Sequence, residues 1–412
     1  MAQMSRSAFD ERADADFPDR NDAINLATAG WGGDVRLSLH DDFAEVEQEW
    51  RAFEVQADGT AFQTFDWLST WQRHIGKREG ARPAITIGRY RGQILFILPF
   101  AFQPGILRRV VWLGSFLNSC SAPLLARDFS NIVSPAQFPL LWRQVVQFLR
   151  VRLRHDLIDL SKIPETVGTQ ANPLLALPVT PHANNTYLTH LRGTWDEFYA
   201  TKRSSSWRKT DGKKRRRLAK FGEIKFATAD EAGDIGQTLD ALIEQKKGLF
   251  ASLGIGNLFE KPGYRDFYRD LASDPKCRDL VHVSSVKMGS TIVATSFGLT
   301  FHGNYDYVLA GYTGGELESC SPGTIHLQEL MRYFLERGFN TFDFNIGDAP
   351  YKREWCDLEL KLYDHVAPVT LKGWSAAVVL KLARALKRFI KQNPSIWPMV
   401  RKARSLVGAL RR

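Results

Sequence analysis

The chain has 412 residues, 44% hydrophobic and 24% charged, which is globular composition with enough apolar surface for about two or three packed cores. Cys120, Cys277, Cys320 and Cys356 are far apart and form no CxxC pair, which excludes a disulfide framework and fits a reducing cytoplasm. The net charge of +10 is uneven: His365 to Arg412 carries 11 Lys or Arg and no acid, so the remainder is nearly neutral.

Residues 1–33 mix Asp, Glu and Arg without an apolar segment, so a disordered tail and no secretory leader are expected. A first half is expected over 34–190. AITIGRY and QILFILPFAF read as strands joined across Arg91-Gly92, and RVVWLGS as a third. The run Ile94–Phe102 is too short to span a bilayer. SPAQFPLLWRQVVQFLR, from Ser134, reads as a helix, and HDLIDLS as the strand that follows it.

A second half is expected over 191–372. It opens with a largely helical stretch, from Gly193 to Leu271. Within it Lys202–Lys220 holds ten basic residues against Asp211 alone. Runs of β-type residues from Leu280 to Tyr312, with tight links at Gly289-Ser290 and His302-Gly303, read as an antiparallel meander. SPGTIHLQELMRYFLERG reads as a helix with Ser321 as N-cap, Pro322 in the first position and Gly338 as the stop. The strand NTFDFN follows it. Both halves therefore share one order of strand, strand, strand, helix, strand. Ser134-Pro135-Ala136 answers Ser321-Pro322-Gly323, and Asp159 answers Asp343, which suggests internal duplication. Residues 373–412 form a basic tail in which Val379, Leu382, Leu386 and Ile390 share a helix face. Such a helix lies on an anionic membrane surface or packs on the core with a solvated basic face.

Three places can carry chemistry. The start of the second helix, Ser321 to Thr324, offers free N–H groups and a positive dipole end to a phosphate, while a Walker lysine and a GxGxxG pattern are both absent. The loop after NTFDFN brings Asp348, Tyr351 and Lys352 together beyond a strand end. The arginines Arg215, Arg216 and Arg217 can clasp a diphosphate, or can be a solvated helix face. Cys320 is read as a buried inert thiol, Trp67 and Trp71 as core. His302 and His326 have no ligand partners at metal spacing, so no metal is assigned.

YVLAGY, SPGTIHLQELMRYFLERG and FDFNIGDAPYKREW together resemble the GNAT-type acyltransferase domain of the bacterial cellulose-biosynthesis (CelD-like) family, relatives of the FemAB peptidyltransferases. The resemblance extends over roughly residues 40–372. It implies an α/β (α+β) fold of tandem GNAT-like halves, each a mixed, mostly antiparallel sheet with packed helices, plus the basic C-terminal helix. It implies acetyl-CoA, or another acyl-CoA, as donor. The pyrophosphate would lie on Ser321, Pro322, Gly323 and Thr324, and the pantetheine along Ala310, Gly311 and Tyr312. Asp348 would be the general base, Tyr351 the acid for the thiolate and Lys352 an anion ligand. Asp343, Asn345, Arg215 and Arg216 would face the acceptor. That acceptor is expected to be an amine on a sugar or envelope precursor, used in the cytoplasm with peripheral membrane contact through the tail. An aminoacyl-tRNA-dependent peptidyltransferase and a non-catalytic accessory of a polysaccharide synthase are the alternatives. The first half, with Ala136 for glycine and no Asp-Tyr-Lys loop, is expected to be degenerate.

Overall fold

The computed structural model describes residues 35–114, 116–229, 233–252, 256–347, 349–393 and 395–400. The expected disordered tail and Asp348 lie outside these residues. The chain divides into two units: the described residues up to Ala183 with Lys361–Lys387, and Asn184–Leu360 with 388–400.

The first unit starts with β1 (Val35–His40), then α1 (Glu47–Glu54) and α2 (Phe65–Trp71). The hairpin β2 (Arg82–Tyr90) and β3 (Gln93–Gln103) turns on Arg91 and Gly92. Both have positive φ, 51° and 83°, as a two-residue hairpin turn requires to match the strand twist. After β4 (Arg109–Trp112), β5 (Leu124–Leu125) and α3 (Phe129–Ile132) comes α4 (Phe138–Arg152), then β6 (Leu157–Pro164). The sheet runs β1-β2-β3-β4-β6, with β4 and β6 parallel. Leu141, Trp142, Val145, Phe148 and Leu149 at helical spacing press α4 onto it. Helix α4 begins four residues after the expected Ser134, because the Gln137 side chain accepts the Ser134 N–H at 2.9 Å and holds 134–137 as a turn. A small hairpin, β7 (Thr166–Val167) and β8 (Gln170–Ala171), and β9 (Val179–Pro181) complete this stretch.

The second unit opens with β10 (Thr186–His190), α5 (Trp195–Lys202) and α6 (Ser205–Ala219). Helix α6 runs unbroken through Asp211 and Gly212. Buried Asp211 accepts from Tyr199 Oη at 2.8 Å, Gln328 Nε2 at 2.9 Å and Arg203 Nε at 3.3 Å, which offsets its poor helix propensity. Then come β11 (Ile224–Thr228), α7 (Ile235–Ser252), α8 (Tyr264–Ser273) and the meander β12 (Val281–Met288), β13 (Thr291–Phe301) and β14 (Asn304–Tyr312). Helix α9 (Pro322–Glu336), β15 (Thr341–Asp343), α10 (Pro350–Trp355) and β16 (Leu358–Leu360) follow. The sheet order is β11-β12-β13-β14-β15-β10-β16, with β14 and β15 parallel. Tyr305, Leu327, Leu330, Met331, Phe334 and Phe342 fill the core between sheet and α9, and the Tyr305 ring stacks on Phe334 at 4.0 Å.

In both units the last strand of the meander, β4 or β14, pairs in parallel with the strand after the long helix, as duplication expects. The expected divisions at 190 and 372 run differently in space. β10 joins the second sheet, whereas β17 (Leu362–Pro368) returns to the first, between β6 and β9. The chain ends its described part with α11 (Leu371–Gln392) and a short stretch to 400.

Candidate active site

The site is built where two parallel strands part. β14 and β15 pair at Asn304↔Thr341, Tyr305↔Phe342 and Asp306↔Asp343, and there the pairing stops while β14 runs on to Tyr312. The cause is a bulge. Against β13 the register passes from Leu299↔Asp306 to Phe297↔Leu309, so Tyr307 and Val308 together oppose Gly298. The extra residue bends the strand and increases its twist, carrying β14 away from β15. Beyond the bulge the flank of β14 toward β15 has no strand partner among the described residues, so it presents an open hydrogen-bonding edge.

The bulge also exchanges the faces of β14. Tyr305 faces α9 before it, and Tyr312 does so after it, its ring 3.0 Å from where a Cβ on Gly323 would lie. Gly311 faces α7 instead: a Cβ there would meet Gln245 Cβ at 2.7 Å. Gln245 is itself fixed, accepting from Thr295 Oγ1 at 2.6 Å. Close packing of a helix therefore accounts for glycine at 311. Ala310 packs against the α9 core.

The start of α9 differs from the sequence expectation. Ser321 is in the left-handed region, φ 52° and ψ 56°, and its side chain makes no capping bond. Ser321 N–H donates to Glu318 O at 3.0 Å, Thr324 N–H donates to Ser321 O at 3.0 Å, and Pro322 has no N–H. Of the expected phosphate-binding segment, only Gly323 keeps an N–H without a partner among the described residues. It lies at the positive end of a 15-residue helix, beside Tyr312.

At the vertex of the opening Asp306 and Asp343 are register partners on one face. The same face holds Asn304 and Thr341, joined by a 2.6 Å bond from Thr341 Oγ1 to Asn304 Oδ1. Burial pushes the Asp343 carboxyl up to about 6, against the pull of the Asn345 N–H and the Lys352 cation. Burial and the neighbouring Asp343 charge push Asp306 well above the carboxylate range, since like charges this close resist ionising together. Asp306 therefore keeps its proton when Asp343 gives up its own.

β15 ends at Asp343, two residues before the expected Asn345, and the chain curls around a lysine. Asn345 has φ 63° and donates its N–H to Asp343 Oδ1 at 2.6 Å. Its side chain is 4% exposed, yet neither amide atom has a partner among the described residues. Gly347 at φ 113° continues the curl. Lys352, from α10, enters it and donates from Nζ to Asn345 O at 2.9 Å and Ile346 O at 3.0 Å. The expected role was that of an anion ligand. Lys352 is 7% exposed and gives two of its donors to backbone carbonyls, which places it as a support of the loop. Tyr351, one residue earlier on α10, points elsewhere. It is part-exposed, its ring meets Phe344 edge-on at 6.4 Å, and burial of its hydroxyl pushes the phenol up to about 12. The Tyr351 and Tyr307 hydroxyls are near enough for one to disfavour ionisation of the other, so both are neutral proton donors. Asp348, the expected base, lies outside the described residues.

The two acceptor-side arginines separate. Arg215 lines a pocket of about 380 Å³ between α5, α6 and α9, with Trp195, Tyr199, Arg208 and Arg332, and it pairs with Glu329. Arg216 does not line it, and its guanidinium lies near Gly212 of its own helix. Two of its lining rings stack, Tyr199 on Trp195 at 5.3 Å, and Tyr199 also lies on the buried Trp355 at 6.0 Å. Among the other residues considered, Cys320, Trp67 and Trp71 are buried in cores, and buried His326 bonds Ser284 Oγ at 3.1 Å. Asp306 and Tyr307 were missed by sequence reasoning. The one available signal was an acid alternating with tyrosines in NYDYVLAGY, and its meaning depends on the register with β15.

Residues 205–353 match the family model of the GNAT acetyltransferase domain. None of the curated protein sequences compared with the chain matches it. Among solved structures, the C-terminal DUF2156 domain of an Agrobacterium fabrum protein described as a lysylphosphatidylglycerol synthetase is similar with a TM-score of 0.51. It is 11% identical, over 84% of this chain and 97% of that one. FemX is similar with a TM-score of 0.50 and 13% identity, over 76% of this chain and 95% of that one. At such identities the likeness is one of fold. The chain is built of two GNAT-like halves, and residues 205–353 of the second match the GNAT acetyltransferase domain model.

Proposed function

We propose that the second half transfers an acyl group from an acyl-CoA, acetyl-CoA first among them, to an amine on an amino sugar or another cell-envelope or exopolysaccharide precursor. The observation that carries the donor side is the parting of β14 from β15 at the bulge, with a free N–H at the head of α9 beside the open edge. In this reading Gly323 N–H and the α9 dipole take a pyrophosphate oxygen, with Ser321, Pro322 and Thr324 shaping the turn. The amide groups of the pantetheine pair with the β14 edge through Ala310, Gly311 and Tyr312.

Asp343 is the proposed base, because it stands at the vertex and titrates near neutrality. The amine nitrogen forms a bond to the acyl carbon as the carbon–sulfur bond breaks. The amine proton passes to the Asp343 carboxylate, and the Tyr351 phenol protonates the departing thiolate. Asp348 is the competing base. Asn345, whose side-chain amide has no partner among the described residues, orients the acceptor, and Lys352 fixes the loop on which Asp343 and Asn345 depend. The arginine-lined pocket at Arg215 receives an anionic part of the acceptor, with Arg216 at its margin. The CelD-like resemblance supports the envelope-precursor class, and acyl-CoA as donor implies a cytoplasmic reaction.

Calorimetric titration with acetyl-CoA tests the donor. Binding is expected, and Gly323→Val should weaken it, since a side chain there crowds Tyr312 and covers the free N–H. Unchanged affinity in folded Gly323→Val protein rules out the placement. No binding of any acyl-CoA overturns the donor itself. Titration with aminoacyl-tRNA then separates the peptidyltransferase alternative from a non-catalytic accessory.

A further inference from the structure

Helix α11 faces the wrong way for a soluble protein. One side docks on the first unit: Gly373 and Ala377 are buried, Leu380 packs with Leu157 and Val366, and Arg384 donates to Asp159 Oδ1 at 2.7 Å. The contact at Gly373 admits no side chain, since a Cβ would fall 1.8 Å from Asp156 O. The start is capped by Thr370, whose Oγ1 accepts the Gly373 N–H at 3.1 Å.

At roughly 100° per residue the docked positions 373, 377, 380 and 384 centre on one side of the helix. Leu371, Trp374, Val378, Leu382, Leu386 and Phe389 centre on the opposite side, and all are exposed, from 40% at Val378 to 90% at Leu371. Val379, part of the face expected from sequence, is exposed with them. Exposed Ile106 extends the patch near the helix start, because its carbonyl accepts Lys372 Nζ. An apolar stripe this long on water needs a partner.

Charge selects that partner. Lys372 and Lys381 fall about 90° to either side of the stripe, where long side chains can extend toward anionic groups bordering an apolar layer. From His365 onward there are 11 Lys or Arg and no acid, so a second copy of the helix would bring like charge against like. No helix among the described residues is long and apolar enough to cross a membrane. We propose that α11 lies on the surface of an anionic lipid bilayer, with its stripe of Leu371, Trp374, Val378, Leu382, Leu386 and Phe389 in the acyl boundary and its lysines on the headgroups.

Co-sedimentation of the full chain with vesicles tests this. Binding to vesicles of phosphatidylglycerol and phosphatidylcholine is expected, weakening with salt, with little binding to phosphatidylcholine alone. Leu382→Glu with Leu386→Glu should abolish it while leaving the melting temperature unchanged, because both side chains are exposed. Lys381→Gln should reduce partitioning about fivefold. Three results overturn the proposal: no vesicle binding by the folded wild-type chain, binding that survives the double leucine substitution, or a solution dimer that this substitution splits, since the stripe then belongs to a second copy.

Discussion

Replacing Lys352 by methionine separates a loop-holding lysine from a solvated one. The ammonium is buried and donates to Asn345 O and Ile346 O at 2.9 and 3.0 Å. Methionine fills similar volume but offers no donor. Each buried acceptor left without its partner costs about 1–3 kcal/mol. The carbonyls of a curled loop can recover part of this by turning toward water, so a net loss of about 2–5 kcal/mol is expected. For a unit of this size that corresponds to a fall in melting temperature of roughly 5–15 °C. Urea and thermal unfolding measure it, with Lys209→Met on the exposed face of α6 as reference, where a change within about 0.5 kcal/mol is expected. Lys352→Met should also raise the titration of Asp343 from about 6, because the nearby cation favours its charged form. If Lys352→Met is as stable as Lys209→Met, the lysine does not hold the curl and its role in placing Asp343 and Asn345 falls with it.

With Asp343 as base, kcat/KM should fall toward acid with a limb near pH 6, and Asp343→Asn should lower turnover by roughly 10²–10⁴. Asp306→Asn, which imitates the protonated acid, should leave that limb in place; a limb that vanishes with Asp306→Asn instead, or a turnover loss confined to Asp348→Asn, assigns the base elsewhere. Gly311→Val should unfold the second unit at lower urea than wild type, since its Cβ would meet Gln245 Cβ at 2.7 Å under α7, and wild-type stability would refute the packing explanation of that glycine. Stability should depend on pH through two opposed groups. The raised Asp343 contributes stability that is present below its ordinary value and lost as pH rises through about 6. Buried His282 and His326, pushed down to about 3, contribute stability that is present above 6.5 and lost as pH falls. Asp343→Asn should therefore steepen the loss of stability between pH 6 and pH 4 in urea titrations, and an unchanged slope would refute the raised carboxyl.

Local rules made the meanders legible. Arg91-Gly92 and His302-Gly303 are two-residue links in which both residues must take positive φ, and glycine in the second place advertises that. The position and apolar face of α9 were legible too, as Pro322 suits only the first turn and the leucines recur at helical spacing, but the left-handed, uncapped Ser321 before it was not. The bulge at Tyr307 and Val308 left no local mark, because any residue can occupy it and only the register with β13 reveals it. The burial of Lys352 was not legible because a lysine beside a turn is usually solvated, and this burial depends on Asn345 and Gly347 curling the chain around it. The exchange of β10 and β17 between sheets was equally hidden, since strand pairing over such separations is set by tertiary packing rather than by either segment.

The first half arranges the end of its parallel strand pair differently. β4 and β6 also pair in parallel for two residues, Arg109↔Leu157 and Val110↔Ile158, before β4 ends. There too a non-glycine residue with positive φ lies beyond the shared aspartate position, Lys162 at φ 61° against Asn345 at φ 63°. Lys162 reaches across the gap and donates from Nζ to Asn118 O at 2.7 Å and Phe116 O at 3.2 Å, while its own carbonyl accepts the Ser121 N–H at 2.9 Å. Asn118 is tied down further, through Nδ2 to Leu113 O at 3.0 Å and through Oδ1 to the buried Trp67 indole at 2.8 Å. The described residues of the loop after β4 are thus tied to β6, whereas beyond its bulge the flank of β14 toward β15 has no strand partner among the described residues. Both halves use a lysine to satisfy carbonyls at the end of the parallel pair. In the second half Lys352 comes from the following helix and pins the strand's own curl, which leaves the edge of β14 free. In the first half Lys162 stands on the strand and pins the opposite loop. Ala136 in place of glycine and the missing Asp-Tyr-Lys loop mark the first half off in sequence, and the loop that Lys162 holds at Asn118 and Phe116 marks it off in structure.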